Sequence, residues 1–259
     1  MGRWTGKWAS GPWNLASWTR SFGWDIGAGI VAFNPFTDIS GCIVGLQSDL
    51  GIIKDGSDRV SQWIDQTGQG NSALQATNAA KFVWTPNELN GYPALVADGI
   101  DDLMQSSIFT GGLVSQPNTT FFIIKGMNGG IANRVCSDGI GGVNRQVLYT
   151  GKPAATRVWK FYAGAETVTT DPEDEGGSYH LIIVVWNGAN SYWYKDNSPR
   201  LGPYNIGTLG IDSLTLGADK DMLQDAAFNY VSLGLYNSLL SDANITLLQG
   251  WANSKYNIW

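Results

Sequence analysis

The sequence predicts an all-β protein, a two-layer antiparallel sandwich with one C-terminal helix and an extended N-terminal arm. Short apolar segments with alternating side chains recur along the chain and are separated by turns rich in glycine and asparagine. Glycine accounts for 33 of the 259 residues and only 15% of residues are charged, which is typical of a turn-dense sandwich. Helical spacing of apolar residues appears only after Ser241.

Residues 1–41 differ from the rest and are predicted to form the arm, with the domain spanning 42–259. The arm contains five tryptophans whose spacings of 4, 5, 5 and 6 residues fit neither a helix nor a strand. We expect these indoles to form an assembly interface, docked on the protein's own sandwich or on a neighbouring subunit; a sugar-stacking platform is the third alternative. They are Trp4, Trp8, Trp13, Trp18 and Trp24.

The first part of the domain contains strand and turn signals in close succession. Val60 to Trp63 alternates as a strand and stops at a polar and glycine-rich loop over 65–71. A strand over 93–97 is followed by a turn over 98–102, and the chain is predicted to return from it as a hairpin beginning at Leu103.

The middle of the chain predicts a meander with segments 119–125, 131–136, 145–150 and 156–163. In the last of these, Trp159 and Phe161 share one face, which we expect to be core. Val158, Lys160 and Tyr162 occupy the opposite face.

Residues 179–186 are apolar on both faces, so this strand is predicted to be central in a sheet covered on both sides. Asn187-Gly188 is a strong hairpin signal, and 191–195 is the returning strand. Closing strands are predicted over 214–216 and 230–236. Ser241 is a predicted N-cap for a helix that places Ile245, Leu248 and Trp251 on one face and continues to Tyr256.

Charge and composition exclude several classes of function. Sixteen basic and 22 acidic residues give a net charge of −6, which argues against nucleic-acid binding. No apolar window is long enough for membrane insertion, and we expect no signal peptide. A chain of this length needs neither a disulfide nor a metal to hold its core. Cys42 and Cys136 are expected to be buried free thiols, with a long-range disulfide as the alternative.

Four aspartates are candidate calcium ligands, because hard cations collect carboxylates. They are Asp65, Asp98, Asp101 and Asp102. Each stands beside turn residues, so the favoured interpretation is that the carboxylates accept backbone N–H groups in turns. On that interpretation the protein has no cofactor.

No pattern in the sequence predicts catalysis. The acidic run 171–175 contains two of the four glutamates, but it precedes two glycines and is typical of a solvated loop. The only histidine, His180, lies in a strand and has no nucleophile motif near it. We therefore expect a protein that is not an enzyme.

Three aromatic residues beside the Asn187-Gly188 hairpin are candidates for stacking on a sugar ring. They are Trp186, Tyr192 and Trp193. Aromatics on alternating strand positions also fill a core or an interface, so both interpretations stay open.

Several segments resemble a LamG-like domain of the concanavalin A-like jelly-roll class. These are 60–65, the Gly-x-Gly-Asn turn at 68–71, 90–94 and 98–102; the closing segments 216–219, 228–236, 240–243 and 255–258 are similar to the last strands and terminal helix of such domains. The resemblance covers about residues 42–258 and implies the jelly-roll fold.

The resemblance also implies a function, a structural component of a bacteriophage or other virus. Such a component would be a capsid decoration, head-fibre or tail protein that is made in the host cytoplasm, is located in the virion, and binds other virion proteins and copies of itself. It would also attach to a cell-surface glycan. The alternative is a carbohydrate-binding module or adhesin. A glycoside hydrolase is the third class, and it is disfavoured because the Glu-x-Asp-x-x-Glu strand of glucanases with this architecture is absent.

Overall fold

The computed structural model of the protein describes residues 32–126, 133–140, 142–152, 156–172, 177–219, 221 and 228–259. Its compact unit spans Phe33–Trp259. The five tryptophans predicted to form the assembly interface, Trp4, Trp8, Trp13, Trp18 and Trp24, lie outside the described residues.

Seventeen strands and two α-helices are present in the described residues. Helix α1 is Pro35–Asp38. The first strands are β1 (Cys42–Gln47), β2 (Ile52–Lys54), β3 (Val60–Trp63), β4 (Ala73–Leu74), β5 (Val83–Leu89), β6 (Tyr92–Val96), β7 (Met104–Gln105) and β8 (Asn118–Gly126). They are followed by β9 (Asn133–Asp138), β10 (Val147–Gly151), β11 (Val158–Tyr162), β12 (Glu166–Pro172), β13 (His180–Trp186), β14 (Ser191–Lys195), β15 (Leu201–Tyr204), β16 (Thr215–Leu216) and β17 (Phe228–Tyr236). Helix α2 is Asp242–Tyr256.

The strands form two antiparallel sheets. One has eight strands in the order β15-β14-β13-β8-β17-β6-β5, with β1 also paired to β17. The other has nine strands in the order β12-β11-β10-β9-β16-β7-β4-β3-β2. Apolar side chains from both sheets form one large core between them. The predicted two-layer β-sandwich is therefore confirmed, and its main core lies between the layers.

Strand β13 is buried on both faces, as predicted. Every second residue, Ile182, Val184 and Trp186, belongs to the core between the sheets. The residues between them, including Leu181 and Ile183, pack with the helices on the other side of the eight-stranded sheet. Burial of each of these side chains contributes about 1.5–3 kcal/mol. A strand with no polar face must be covered on both sides, which fixes β13 in the middle of the sheet.

Helix α2 begins where the sequence predicts. The Ser241 hydroxyl accepts a hydrogen bond from the Asn244 N–H at 3.2 Å and caps the first turn. Ile245 and Leu248 are buried against the eight-stranded sheet. The helix ends at Asn257, which adopts a left-handed conformation with φ of 49° and donates its N–H to Asn253.

The compact unit begins before the predicted boundary at Cys42. Asn34 caps α1, with its side chain accepting from the Phe36 N–H at 3.0 Å. Phe36 is buried and stacks on Phe121 of β8, with ring centroids 6.0 Å apart. This short helix adds an aromatic anchor to the core beneath α2, so the residues just before Cys42 belong to the sandwich.

The hairpin predicted from the turn at 98–102 does not form. Strand β6 lies in the eight-stranded sheet and β7 in the nine-stranded sheet, so the chain crosses between layers there. The hairpin in this region joins β5 to β6 through Asn90 and Gly91, with Leu89 opposite Tyr92. Both turn residues have positive φ, 49° and 91°, a geometry for which Asn-Gly is well suited.

The predicted meander exists only in part. Strands β9, β10, β11 and β12 are consecutive neighbours in the nine-stranded sheet, whereas β8 pairs with β13 and β17 in the other sheet. The four-stranded meander presents one face to the core and the other outwards. None of the helices in the described ranges is long and apolar enough to cross a membrane.

Candidate ligand-binding site

The outer face of the β9–β12 meander carries a group of aromatic and charged side chains. Residues directly opposite one another in an antiparallel ladder point to the same face. The register therefore produces two neighbouring outward rows, Val147–Tyr162–Glu166 and Val135–Tyr149–Lys160. The residues in between, including Leu148 and Phe161, point into the core between the sheets. Side chains from four consecutive strands are thus brought into one surface by strand pairing.

Arg145 stands at one side of these rows and is held by a buried carboxylate. Its Nε lies 3.0 Å from Asp138 Oδ1, and its Nη2 donates to Asp138 Oδ2. Burial acts to lower the pKa of Arg145, but the hydrogen bonds and charge of Asp138 outweigh it and the pKa is raised. The guanidinium carbon lies 5.5 Å from the centre of the Tyr162 ring. Arg145 is therefore a fixed cation beside an aromatic side chain.

Tyr149, Glu166 and Lys160 form a second charged group. The Tyr149 hydroxyl donates to Glu166 Oε2, and Lys160 Nζ lies 2.9 Å from Glu166 Oε1. Burial, followed by the hydrogen bond to Glu166, raises the pKa of Tyr149. The hydrogen bond from Tyr149 lowers the pKa of Glu166, and Lys160 adds to this effect. At neutral pH the pair is therefore a protonated phenol and an ionised carboxylate.

A cleft of about 190 Å³ lies among these side chains, and we call it the outer-face cleft. It is lined by Val135, Arg145, Val147, Tyr149, Tyr162, Glu166 and Asp219. Small-molecule sites usually measure about 300–1,000 Å³, so this cleft has room for roughly one ring-sized unit of a ligand. A larger ligand would extend from it over the sheet. Apolar, aromatic, anionic and cationic groups all reach this one space.

A larger cavity of about 610 Å³ lies among loops at one end of the sandwich. No charged side chain is among the described residues that line it. Two of its four amide side chains are already engaged: Asn71 donates to Ile43 and accepts from Thr110, and Gln116 Nε2 donates to Leu209 at 2.8 Å. The loop cavity is the larger of the two spaces, whereas the outer-face cleft has the charged and aromatic side chains that could bind a ligand. We select the cleft, because binding sites need polar groups that converge on the ligand.

The three aromatic residues predicted to stack on sugar do not meet on one surface. Trp186 and Trp193 are each 1% exposed and lie in the core between the sheets. The Trp186 indole N–H donates to the Thr120 hydroxyl at 2.7 Å. Tyr192 points the other way because neighbours on a strand alternate, and the Arg200 guanidinium lies 4.7 Å above its ring. The predicted platform of Trp186, Tyr192 and Trp193 is corrected accordingly.

The four aspartates predicted as calcium ligands separate into two groups. Asp65 is buried, and its carboxylate accepts the N–H groups of Gly45 at 2.9 Å, Gly70 at 3.0 Å and Asn71 at 3.2 Å. This agrees with the turn interpretation for Asp65. The other three, Asp98, Asp101 and Asp102, cluster in the crossing between β6 and β7.

The sole histidine pairs with an acid that directly follows the neighbouring strand β14. His180 Nδ1 lies 2.7 Å from Asp196 Oδ2, and the same carboxylate accepts the Leu181 N–H at 2.9 Å. Nearby, Lys195 lies 3.3 Å from Asp171. Asp171 and Pro172 of the acidic run, which was predicted to be a loop, are the last residues of β12, and the rest of the run, 173–175, is outside the described residues. These pairs connect strands of the sandwich, and none of them reaches the outer-face cleft.

Sequence reasoning missed most of the outer-face cleft. The signal that was present is the alternation of side chains along β11. Once Trp159 and Phe161 are assigned to the core, the neighbouring residues Lys160 and Tyr162 must point outwards. The same rule applied to β10 would place Tyr149 outwards beside Lys160. Glu166 and Asp219 carried no such signal.

Comparisons with known proteins bear on the fold alone. No protein-family model matches the chain, and no curated protein sequence matches it. Among solved structures, the sialidase of Trypanosoma rangeli superposes with a TM-score of 0.58 at 16% identity, covering 84% of this chain and 34% of that one. An arabinofuranosidase complexed with arabinofuranosyl-α-1,2-xylobiose superposes at 0.58 and 13% identity, covering 76% and 51%.

The binding domain of botulinum neurotoxin serotype G also superposes, with a TM-score of 0.58 at 8% identity, covering 82% of this chain and 51% of that one. The chain therefore spans between a third and about half of the lengths of these structures. The likeness shows a β-sandwich fold and is consistent with a concanavalin A-like jelly roll.

Proposed function

We propose that the protein is a carbohydrate-binding module or adhesin that holds a glycan at the outer-face cleft. The observation that carries the proposal is the convergence of Tyr149, Tyr162, Arg145, Glu166 and Asp219 on one small space. In support, the structural neighbours include a complex with arabinofuranosyl-α-1,2-xylobiose and a botulinum neurotoxin binding domain in complex with SialylT.

The side chains offer what a sugar ring requires. A ring has apolar C–H faces and a rim of hydroxyls, so it suits a partly apolar pocket with a few fixed polar groups. Tyr162 is half-buried and presents part of its ring to the cleft. Glu166 accepts hydrogen bonds from sugar hydroxyls, and Arg145 donates to sugar oxygens. Both are preorganised by Tyr149 and Asp138, which lowers the entropic cost of binding.

We propose binding without catalysis at this cleft. Glycoside hydrolysis requires a carboxylic acid that is still protonated near neutral pH, which means a raised pKa. The pKa of Glu166 is shifted in the opposite direction by Tyr149 and Lys160. A carboxylate that is ionised at neutral pH is a good acceptor for hydroxyls and a poor proton donor.

A glycan array tests the proposal. We expect the wild-type chain to bind a defined set of glycans, and the corresponding free oligosaccharide to compete. Tyr162→Ala should abolish this binding, whereas Tyr192→Ala, which removes a tyrosine on the opposite sheet, should leave it intact. Thermal melts of both variants establish that they fold. Absence of any bound glycan, or equal binding by Tyr162→Ala, would overturn the proposal.

The role in a virion stays a prediction from the sequence resemblance. Attachment to a cell-surface glycan is compatible with such a role, since a particle component needs both an assembly contact and a receptor contact. Co-purification of the chain within a large particle would support it.

A further inference from the structure

We propose that Asp98, Asp101 and Asp102 form a calcium-binding site in the crossing between β6 and β7. One carboxylate oxygen from each residue lies within 4.8 Å of the others. This is a convergence of three negative charges on one point, and it lies on the loop that carries the chain from the eight-stranded to the nine-stranded sheet.

The second observation is an unsatisfied oxygen within the buried carboxylate. Asp102 is 3% exposed. Its Oδ2 accepts the Asp98 N–H at 2.9 Å, but its Oδ1 is buried with no hydrogen-bond partner among the described residues. A buried, unpartnered carboxylate oxygen is costly, and buried charges are normally paired or coordinate a metal. An ion in the cluster would satisfy this oxygen.

Protein cations do not fill that role in the described part of the chain. No ion pair found there involves any of the three carboxylates. Arg59 acts on Asp102 through its charge alone, and its Nη1 is directed to the carbonyl oxygens of Asn78 at 3.3 Å and Lys81 at 3.4 Å. The negative charge of the cluster is therefore left for a solvent cation.

The separation of the oxygens is compatible with a calcium site, since all three lie within 4.8 Å of one another. Ca²⁺ binds oxygens at about 2.3–2.6 Å, so two ligands on opposite sides of the ion stand roughly 5 Å apart. Mg²⁺ demands near-ideal octahedral geometry and gives up its water ligands reluctantly, so three protein carboxylates on one loop suit Ca²⁺ better. The three side chains can coordinate Ca²⁺ with little movement. Asp98 and Asp101 are exposed, so water can supply the remaining ligands.

The expected consequence is stabilisation of the crossing by Ca²⁺. A ligand that binds only the folded state raises stability in proportion to the logarithm of its concentration over Kd. Asp101→Asn is the informative variant, because Asp101 is exposed and its substitution leaves the hydrogen bond between Asp102 and Asp98 in place. Asp55→Asn is the matched control, since Asp55 is an exposed turn aspartate outside the cluster.

The experiment is a thermal melt and a calorimetric titration with CaCl₂ after the full chain has been treated with EDTA. At about 10 mM Ca²⁺, roughly 100 times a Kd of the order of 10⁻⁴ M, we expect Tm to rise by several degrees, with about one ion bound per chain. Asp55→Asn should retain the rise and Asp101→Asn should lose it. No binding up to that concentration, an equal rise with MgCl₂, or a full rise in Asp101→Asn would overturn the proposal.

Discussion

The Tyr149 hydroxyl donates a hydrogen bond to the Glu166 carboxylate, although the two residues lie on strands separated by β11. The contact spans the strand between them and fixes both side chains at the rim of the outer-face cleft. Lys160, on that central strand, holds the other carboxylate oxygen at 2.9 Å. This three-residue group is the best-organised polar feature of the cleft.

Tyr149→Phe should weaken glycan binding without unfolding the protein. The ring stays buried against Val135 and Val147, while the carboxylate loses the donor that positions it. Loss of one hydrogen bond of about 0.5–1.5 kcal/mol corresponds to roughly 2- to 12-fold weaker affinity. A calorimetric titration with a glycan found on the array would measure this change. Unchanged affinity would mean that the carboxylate does not contact the ligand.

Glu166 should contribute to stability at neutral pH and lose that contribution in acid. The pKa of Glu166 is lowered in the folded protein from its ordinary 4.5, so the folded state binds fewer protons than the unfolded state. The contribution is complete above the unfolded pKa and disappears as the pH falls through the folded pKa. The contribution is measured by urea unfolding of the wild type and of Glu166→Gln at a series of pH values from neutral to acid. The stability difference between the two should shrink towards acid, and a constant difference would contradict the assignment.

Asp65→Ala should be strongly destabilising. The carboxylate accepts four backbone N–H groups, from Gly45, Thr67, Gly70 and Asn71, and links β1 to a loop twenty residues away in sequence. Two of these donors, on Gly45 and Asn71, are buried. Each buried donor left without a partner costs about 1–3 kcal/mol, so we expect a loss of at least about 2 kcal/mol. Asp55→Ala, at an exposed turn, should cost much less. Denaturant unfolding of both variants gives their free energies of unfolding. A similar loss of stability in the two would contradict the structural role of Asp65.

Both cysteines should be unreactive in the folded protein. Burial raises the pKa of Cys42 to about 12 and raises that of Cys136 as well. Both thiols are free and buried, in agreement with the favoured expectation from the sequence. A thiol reagent at about pH 8 should modify neither until denaturant is added, and then both, because the thiolate is the reactive form. Rapid modification of either in the native state would mean local opening of that strand.

The fold could be predicted from the sequence wherever the residues of one segment decide its structure without the rest of the chain. Strand β13 is apolar on both faces, and α2 carries its own cap at Ser241. The crossing between β6 and β7 was mistaken for a hairpin, because a turn after Ala97 looks the same whether the next strand joins the same sheet or the facing one. Which sheet receives a strand is decided by long-range pairing.

The candidate site depends on that pairing, and this is why the sequence did not reveal it. Tyr149, Tyr162 and Glu166 become neighbours through the register of three strands, and a shift of one residue would send each to the opposite face. Two of the aromatic residues that the sequence offered for sugar stacking, Trp186 and Trp193, point inwards and fill the core.

The most direct test of the central claim is a crystal structure of the protein with a glycan identified on the array. The account predicts a sugar unit in the outer-face cleft, with a hydroxyl within hydrogen-bond distance of Glu166 and the ring against Tyr162. Glycan density beside Tyr192 and Arg200, or in the loop cavity near Asn71, with the outer-face cleft free of ligand, would contradict it.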